Sequence, residues 1–564
     1  MSAESRQAAI AGAGLVIEDP LVLANAAAIV WDDETDVIVI GLGGAGAAAA
    51  LEAREKGADV VVIERFEGGG STVLSGGVFY AGATRFQRDA GFDDTAQGMF
   101  DYLRLEVKDA VSEDTLRRFC DNSAENVDWL IRHGVNFRAS LYSGKTSYPP
   151  EGKFLYFSGN ENVPAFAARA KPAPRGLRTV GKGLSGYAFF GALNGAVAHS
   201  GVRTRTHSRA LRLIVDEHGT VIGVETLEIT QPNDQRKHQN LYARVNPTRP
   251  FSFATAEKAT ENCLAFELAV GTRKRIRARG GLILATGGFS YNAAMLRKHM
   301  PFVADRMAAL MRLGSMGCNG SGMQLGASVG GATRGLDRPF LARQLAPPSA
   351  VLKGLLVNQQ GQRFINEDAY SGKLGGAIAQ QPGGDAWIIL DSELHSQLLR
   401  QTLPVGDGTF RIYRAPTLLN RLFGGTKRDR TLSGLARKIG ADPVELQATV
   451  ATMRSALANK QPDPLGKNPD YCRPLGEGPY WALNTSIGNK FSFVAFFTLG
   501  GLAVNEQSGA VVRDDGTPIE GLYAAGRAAL GIPSDGYISG LSLADCVFSG
   551  RRAGQAAASK LQQR

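Results

Sequence analysis

Residues 36–64 constrain the fold of this chain more than any other stretch. A mostly apolar run, 36–40, is followed by the turn Gly41-Leu-Gly-Gly-Ala-Gly46, an alanine-rich stretch and a second apolar run that ends at Glu64. Short apolar runs bounded by turn residues are typical of buried strands, and the alanine-rich stretch favours a helix. The pattern predicts a βαβ unit with the glycine turn at the carboxyl end of its first strand.

The spacing of this turn matches a dinucleotide-binding fingerprint. Gly41 permits the tight turn, Gly43 lets the backbone approach a pyrophosphate, and Gly46 lets helix and strand pack closely. The helix N-terminus offers free N–H groups to the phosphates, and Glu64 would accept the ribose hydroxyls. A tight turn without a ligand is the alternative.

Glycine is in excess, at 69 of 564 residues, or about 12% against an average near 7%. A second cluster, 68–77, follows the βαβ unit, and further glycine motifs occur at 285–288, 500–501 and 521–526. This ordered set resembles the flavoprotein superfamily of fumarate reductases and succinate dehydrogenases over about residues 35–555. The resemblance implies an α/β fold, in which a Rossmann-like FAD-binding domain is interrupted by an α+β catalytic cap.

By this resemblance the chain divides into an extension (1–35), an FAD-binding domain (36–290, with a polar, irregular insertion at about 229–268), a cap (291–482) and a second FAD-binding segment (483–564). Gly70 stands where relatives with covalent FAD carry a histidine, so the cofactor is expected to be noncovalent FAD. Arg527 departs from the superfamily, which more often has an acidic residue there, and is left out of the expected site. The expected cofactor-binding residues are Gly41, Gly43, Gly44, Ala45, Gly46, Glu64, Arg65, Gly70, Ser71, Thr72, Ser75, Gly76, Gly77, Ala210, Ala285, Thr286, Gly287, Gly526, Ser542 and Leu543.

The dicarboxylate site of fumarate reductases is missing from the sequence. The late strand reads Phe496-Phe-Thr-Leu-Gly-Gly501 without a histidine, and no arginine follows the motif Arg363-Phe-Ile-Asn-Glu367. Aromatic and hydroxyl side chains stand there instead, which suits a neutral apolar ketone.

Three hydroxyls resemble those of 3-ketosteroid dehydrogenases: Tyr370 after the Asn-Glu motif, and the pair Tyr537-x-Ser539 before the last helix. The Tyr-x-Ser pair favours the Δ4-(5α) branch over the Δ1 branch. The resemblance implies that Tyr537 binds the 3-keto oxygen, Ser539 takes the C4 proton, Tyr370 relays it to solvent, and the flavin takes the C5 hydride. Serine is a weak base, so Ser539 is expected to work through Tyr370.

Alternatives stay open at each level. Tyr370 could pack a domain seam, Tyr537 could anchor a loop, and Ser539 could cap the last helix. The aromatic loop of residues 142–157 could wall the substrate channel or pack the core. The enzyme could be a Δ1-dehydrogenase or a flavin-dependent C=C reductase, and a redox-sensing module without catalysis is the non-enzymatic alternative.

Composition excludes several other classes. The net charge of +10 includes a run of arginines at 273–279, whose alternation indicates a solvated strand face, and no nucleic-acid motif accompanies it. The seven histidines lack metal-site spacing, so no metal is expected. Five scattered cysteines, no secretory signal and no long apolar segment predict a cytoplasmic protein. The expected partners are an apolar ketone and a separate electron acceptor; peripheral membrane contact stays open.

Overall fold

The computed structural model describes residues 17–245 and 253–563. Its strands are β1 Leu21–Leu23, β2 Asp33–Ile40, β3 Val60–Ile63, β4 Val78–Tyr80, β5 Leu141–Tyr142, β6 Leu155–Tyr156, β7 Gly176–Arg178, β8 Arg203–Arg205, β9 Ser208–Asp216, β10 Val221–Glu228, β11 Thr272–Leu284, β12 Leu310–Arg312, β13 Thr333–Arg334, β14 Pro339–Arg343, β15 Leu355–Val357, β16 Trp387–Leu390, β17 Lys427–Asp429, β18 Tyr480–Asn484, β19 Val494–Thr498, β20 Gly501–Leu502, β21 Ala510–Val512 and β22 Pro518–Ala524.

The α-helices lie between these strands and after the last one. They are α1 Gly44–Glu55, α2 Gly70–Val73, α3 Arg85–Asp89, α4 Ala96–Val107, α5 Glu113–Asp121, α6 Ser123–Arg132, α7 Pro164–Ala167, α8 Gly186–His199, α9 Pro232–Ala243, α10 Phe253–Val270, α11 Ala293–His299, α12 Pro301–Ala304, α13 Ser321–Ser328, α14 Ser371–Ala379, α15 Ser392–Gln401, α16 Ala415–Phe423, α17 Leu432–Ile439, α18 Pro443–Ala458 and α19 Leu541–Ser559. A π-helical turn over Phe410–Arg414 runs directly into α16.

The predicted βαβ unit forms the centre of the largest sheet, which has nine strands in the described chain. Strand β2 pairs in parallel with β3 on one side and with β11 on the other. The first half of β11 pairs with β10, and its last three residues pair with β22. The late strand β22 is thereby brought beside the first βαβ unit.

Helices α1 and α19 pack closely on one face of this sheet. A Cβ atom built on Gly550 would meet the carbonyl oxygen of Ala45 at 2.5 Å, and one built on Gly554 would meet that of Ala49 at 2.3 Å. Only residues without a side chain allow this approach. The small residues of the two helices therefore fix α19, and with it the loop that precedes it, next to the glycine turn.

A second apolar core gathers buried residues from Phe289 to Phe496. It packs around the four-stranded antiparallel sheet β15-β16-β18-β17. In the small sheet β12-β19-β14, strand β19 leads directly into the Gly500-Gly501 turn. The predicted fold class is confirmed.

Three segments refine the sequence-based expectations. The stretch 229–268 was expected to be irregular, but its described residues are largely helical, in α9 and α10. Within the expected extension, residues 1–16 lie outside the described residues, whereas β1 pairs with β9 in the main sheet. The arginine run lies on β11, where Arg275 pairs with Glu225 and Arg277 with Glu34, so much of its charge is neutralised within the protein.

None of the helices in the described ranges combines the length and apolar character needed to cross a membrane.

Candidate active site

A cleft opens at the carboxyl ends of β2, β3 and β11. The glycine turn after β2 forms its floor, and α2 with the loop before it forms one wall. Ala210 on β9 lies at one end, and Cys546 on α19 also lines the space. Parallel strands place such crevices at their carboxyl ends, where helix N-termini also point.

The glycines of the turn are explained by close approach. Gly41 has a φ of +101°, and a Cβ atom on Gly46 would lie 1.8 Å from the Gly41 carbonyl oxygen. A Cβ atom on Gly43 would instead project toward open space, since its nearest neighbour is Thr72 Oγ1 at 3.6 Å. Gly43 lines the cavity, so a side chain there would occupy the space available to a ligand.

Glu64 is held in place by the backbone. Its Oε2 accepts a hydrogen bond from the Leu42 N–H at 2.7 Å, and its Oε1 accepts one from the Phe66 N–H at 2.9 Å. Burial raises the pKa of Glu64, while these two N–H donors oppose that rise. Each oxygen retains a lone pair for a further donor, as the predicted contact with a ribose requires.

Arg65 also lines the cavity and belongs to a buried ion-pair network. Its Nε lies 2.7 Å from Oε1 of Glu267, a residue of α10. Glu267 also accepts from His238 Nε2 at 2.8 Å and from Arg209 at 3.3 Å. Helices α9 and α10, outside the predicted fingerprint, therefore brace this end of the cavity.

Most of the predicted cofactor residues meet at this cavity. Those that line it are Gly41, Gly43, Gly44, Ala45, Glu64, Arg65, Gly70, Ser71, Thr72, Ala210, Ala285, Thr286 and Gly287. The remaining ones, which do not line it, are Gly46, Ser75, Gly76, Gly77, Gly526, Ser542 and Leu543. Some of these shape the backbone behind it: Ser75 Oγ, for example, donates to the Thr72 carbonyl at 2.8 Å.

Sequence reasoning missed several lining residues. Tyr242 comes from the segment expected to be irregular, Ser315 and Cys318 come from a loop without a recognised motif, and Arg527 was left out of the expected site. The Arg527 guanidinium lies 4.7 Å from the centre of the Phe497 ring. The departure of Arg527 from the superfamily pattern was the one sequence signal that could have drawn attention to this lining residue.

The predicted catalytic tyrosine Tyr537 lies in an aromatic cluster. Its ring packs edge-on against Phe340, at 4.6 Å between centroids, and against Phe497, at 5.0 Å. Burial raises the pKa of Tyr537, and Arg527 opposes that rise. The phenol consequently keeps its proton at neutral pH and can donate a hydrogen bond in apolar surroundings.

The Ser539 hydroxyl is positioned by two groups from the aromatic loop. Its Oγ lies 3.1 Å from the hydroxyl oxygen of Tyr156 and 3.0 Å from the Ser147 carbonyl oxygen. The Tyr156 hydroxyl also reaches that carbonyl, at 3.0 Å. Three oxygen atoms thus share two protons. If Ser539 donates to the carbonyl, Tyr156 can donate to Ser539 and leave one serine lone pair for another proton.

The N-cap of α19 is Gly540, so Ser539 does not cap that helix. Gly540 has a φ of +95°, and a Cβ atom there would lie 2.9 Å from the Tyr80 backbone nitrogen. The close approach of β4 explains the glycine and turns the chain so that Ser539 faces the aromatic loop. The hydroxyl beside Ser539 is that of Tyr156, a residue absent from the predicted catalytic set.

Tyr370 immediately precedes α14 and is buried. Its backbone N–H donates to Oδ1 of Asn160 at 2.6 Å, and its ring stacks at 6.4 Å from Phe340. Burial raises the pKa of Tyr370 well above its ordinary value. Because Phe340 contacts both rings, Tyr370 and Tyr537 lie on one aromatic wall.

The Arg-Phe-x-Asn-Glu motif before Tyr370 is structural. Arg363 forms hydrogen bonds to both carboxylate oxygens of Glu367, at 2.9 and 2.8 Å, and to Asp463 at 2.6 Å. Lys467 Nζ lies 3.1 Å from the same glutamate. This buried network fixes the turn from which the chain enters α14 at Tyr370.

Comparison with known protein families identifies the family to which the chain belongs. The family described as FAD binding domain matches residues 36–538. The chain therefore belongs to this family of FAD-binding proteins.

Particular relatives narrow the class. The chain is 37% identical to the 3-oxo-5-alpha-steroid 4-dehydrogenase of Comamonas testosteroni over 527 residues, which cover 90% of this chain and 96% of that protein. Its fold matches the 3-ketosteroid-delta4-(5alpha)-dehydrogenase of Rhodococcus jostii RHA1 with a TM-score of 0.79 and 30% identity, over 96% of this chain and 100% of that one. A 3-ketosteroid delta1-dehydrogenase from Sterolibacterium denitrificans shares the fold, with a TM-score of 0.64 at 19% identity over 94% and 100% of the two chains.

The cavity fits FAD. It offers a glycine turn at a helix N-terminus for the pyrophosphate and a carboxylate, Glu64, for the ribose. Gly43 and Gly70 both line it, and a Cβ atom on Gly70 would have no neighbour closer than 3.8 Å. The absent side chains leave the room that a bound cofactor requires.

Proposed function

We propose that this protein is an FAD-dependent 3-ketosteroid dehydrogenase that introduces a C=C bond next to the 3-keto group, between C4 and C5. The observation that carries the proposal is the pair Tyr537 and Ser539, two hydroxyls that bracket a turn at an apolar aromatic wall. Removal of two hydrogens beside a ketone needs a donor to the carbonyl oxygen and an acceptor for the α proton. Bound FAD supplies the acceptor for the hydride.

Tyr537 is the donor to the 3-keto oxygen. The phenol is neutral, and its ring packs against Phe340 and Phe497, so the position of its oxygen is set before the substrate binds. A hydrogen bond to the carbonyl stabilises the charge that develops on oxygen as the α proton leaves. The aromatic side chains around it exclude water and favour an apolar ring system.

Ser539 accepts the C4 proton. A serine hydroxyl is a weak base, so its lone pair must be aimed at the substrate and its own proton must move on as the new one arrives. Tyr156 and the Ser147 carbonyl aim it, and Tyr370 relays the proton toward solvent. Tyr156 acts through Ser539 and is a positioning residue.

Several finer assignments belong to the same proposal. FAD is held noncovalently, because Gly70 offers no side chain for a covalent link. Electrons pass to a separate acceptor, and the enzyme works in the cytoplasm, where cysteines stay reduced. The FAD-binding domain comprises 36–290 and 483–564, with the cap at 291–482 between them.

The test is product analysis with a panel of 3-ketosteroids and an artificial electron acceptor. A 4,5 double bond formed from a 3-keto-5α-steroid supports the proposal. A 1,2 double bond would move the assignment to the Δ1 reaction. Oxidation of a reduced flavin donor by an enone, without any steroid dehydrogenation, would assign a C=C reductase. A protein that carries FAD and transforms none of these compounds contradicts an enzymatic role in steroid oxidation.

A further inference from the structure

Helix α16 exposes the apolar side chains at its C-terminal end. Its one buried residue is the polar Asn420, whose amide donates to the Asn484 carbonyl at 3.0 Å and accepts from Asn489 Nδ2 at 2.9 Å. Leu422 and Phe423, in contrast, are 62% and 59% exposed. An ordinary surface helix buries its apolar stripe and exposes its polar residues, whereas α16 buries Asn420 and leaves Leu422 and Phe423 exposed.

Three half-buried apolar residues, Leu418, Leu419 and Phe491, adjoin these two exposed ones. Leu418 and Leu422, and likewise Leu419 and Phe423, are four positions apart and so form two adjacent rows on the helix surface. The Phe423 ring lies 5.8 Å from that of Phe491, which extends the apolar surface onto the chain before β19. We call this face, formed by Leu418, Leu419, Leu422, Phe423 and Phe491, the α16 surface.

Basic residues outnumber acidic ones along the segment that carries the α16 surface, although Asp407 and Asp429 flank it. Residues 409–428 contain five basic residues and no acidic one: Arg411, Arg414, Arg421, Lys427 and Arg428. Arg414 is paired with Asp407 at 2.7 Å, whereas Arg411, Lys427 and Arg428 are exposed. Lys490, also exposed, lies with its Nζ 5.3 Å from the Phe491 ring centre. An apolar helix face within a basic rim is the pattern of segments that lie in the interface of anionic bilayers.

The same segment is joined to the catalytic wall. Tyr413, in the π-helical turn before α16, is buried and its hydroxyl reaches the Tyr148 carbonyl at 3.2 Å and Thr146 Oγ1 at 3.0 Å. Ser147, between those two residues, supplies the carbonyl that positions Ser539. If the protein binds a membrane through α16, the candidate active site will therefore lie close to that membrane.

We propose that the α16 surface docks the protein on anionic lipid bilayers. The proposed function enters this inference only as the reason for docking, which would let the enzyme collect an apolar substrate from lipid. A second copy of the chain is a poorer occupant, because a twofold interface through this face would bring the two basic rims together.

The test is co-sedimentation of the FAD-loaded protein with vesicles, without substrate. We expect binding to vesicles of phosphatidylcholine with phosphatidylglycerol, weaker binding to phosphatidylcholine alone, and loss of the difference at high salt. The double variant Leu422→Ser/Phe423→Ser should bind the vesicles at least about tenfold more weakly than the wild type. The variant Lys427→Glu/Arg428→Glu should lose most of the preference for anionic vesicles. The control Val444→Ser, at an equally apolar position that is 72% exposed, should bind like the wild type.

Three results would overturn the proposal. The wild type could stay in the supernatant with both vesicles, or the Leu422/Phe423 variant could bind them as the wild type does. A wild-type dimer that this variant converts to monomers, with vesicle binding unchanged, would assign the surface to a second copy. Because no substrate is present, failure here leaves the dehydrogenase proposal standing, and failure of steroid turnover leaves vesicle binding to be judged alone.

Discussion

The hydroxyl of Tyr156 lies 3.1 Å from Oγ of Ser539, although 383 residues separate the two in sequence. Tyr156 ends the short strand β6, whereas Ser539 precedes α19. Their contact makes the serine hydroxyl part of a half-buried hydrogen-bonded triangle with the Ser147 carbonyl. This arrangement explains how a weak base can be oriented for proton transfer, and it leads to the first prediction.

Replacement of Tyr156 by Phe removes the donor that orients Ser539 and leaves the ring in place. We expect kcat to fall about ten- to a hundredfold with little change in KM, because substrate binding is retained while proton transfer is misaligned. Flavin content and melting temperature should stay near wild-type values. Tyr187→Phe, at a half-exposed tyrosine, is the matched control. Unchanged kcat in Tyr156→Phe would remove the positioning role.

Replacement of Gly46 by Ala tests the glycine turn. The added Cβ atom would lie 1.8 Å from the Gly41 carbonyl oxygen, so the turn and helix α1 must separate. We expect a purified protein with a strongly reduced flavin-to-protein ratio, measured by absorbance after removal of free FAD. Gly191→Ala on helix α8, where a Cβ atom has no neighbour within 4 Å, should keep its FAD and gain up to about 1 kcal/mol of stability. Full FAD content in Gly46→Ala would contradict this packing.

Replacement of Glu367 by Gln tests the network before Tyr370. Burial alone would raise the pKa of Glu367, but Lys467 and Arg363 lower it, so the carboxylate is charged between two buried cations. Loss of that charge leaves both cations poorly compensated, and we expect the free energy of unfolding to fall by about 3–5 kcal/mol. Denaturant unfolding measures it. Glu477→Gln, in an exposed pair with Arg454, should change stability by less than about 1 kcal/mol. Equal stabilities for the two variants would show that the buried network is dispensable.

Asp545 on α19 predicts a pH dependence. Burial raises the pKa of Asp545 to about 6, against which the Ile532 N–H and Arg552 act only in part. The folded state thus favours the protonated form, and this contribution to stability is present below about pH 4 and is lost as the pH rises through about 6. Asp545→Asn keeps an acceptor for Ile532 without the charge. Between pH 4.5 and 7.5, we expect the free energy of unfolding of Asp545→Asn to rise by about 2–3 kcal/mol relative to that of the wild type. A difference between the two proteins that does not change with pH would refute the assignment.

Local patterns could predict the nucleotide-binding part. The βαβ unit, the glycine turn and the role of Gly46 depend on neighbours within about 30 residues, and strand and helix periodicity carries that information. The catalytic roles of Tyr370, Tyr537 and Ser539 were predicted from their motifs and stay predictions. The cavity end at Ala210 was also predicted, because the motif order resembles a known family.

Long-range contacts could not be predicted in this way. Nothing near Tyr156 in sequence indicates that β6 approaches the start of α19, and Tyr242 lines the cavity from a segment whose polar composition suggested an irregular loop. Helix α10 is long, but its apolar and polar residues do not separate clearly onto two faces, because its buried side carries the charged Glu267. Partners for such buried charges come from distant elements, and only the folded arrangement brings them together.

The central claim is that Ser539 accepts a substrate proton as the flavin is reduced. The most direct measurement is anaerobic stopped-flow absorbance at the flavin band after the FAD-loaded enzyme is mixed with a 3-keto-5α-steroid, for the wild type and Ser539→Ala. The account predicts bleaching in the wild type and a rate at least about a hundredfold lower in Ser539→Ala, with an unchanged oxidised spectrum and steroid affinity. Bleaching of Ser539→Ala at the wild-type rate, or no bleaching of the wild type, would contradict it.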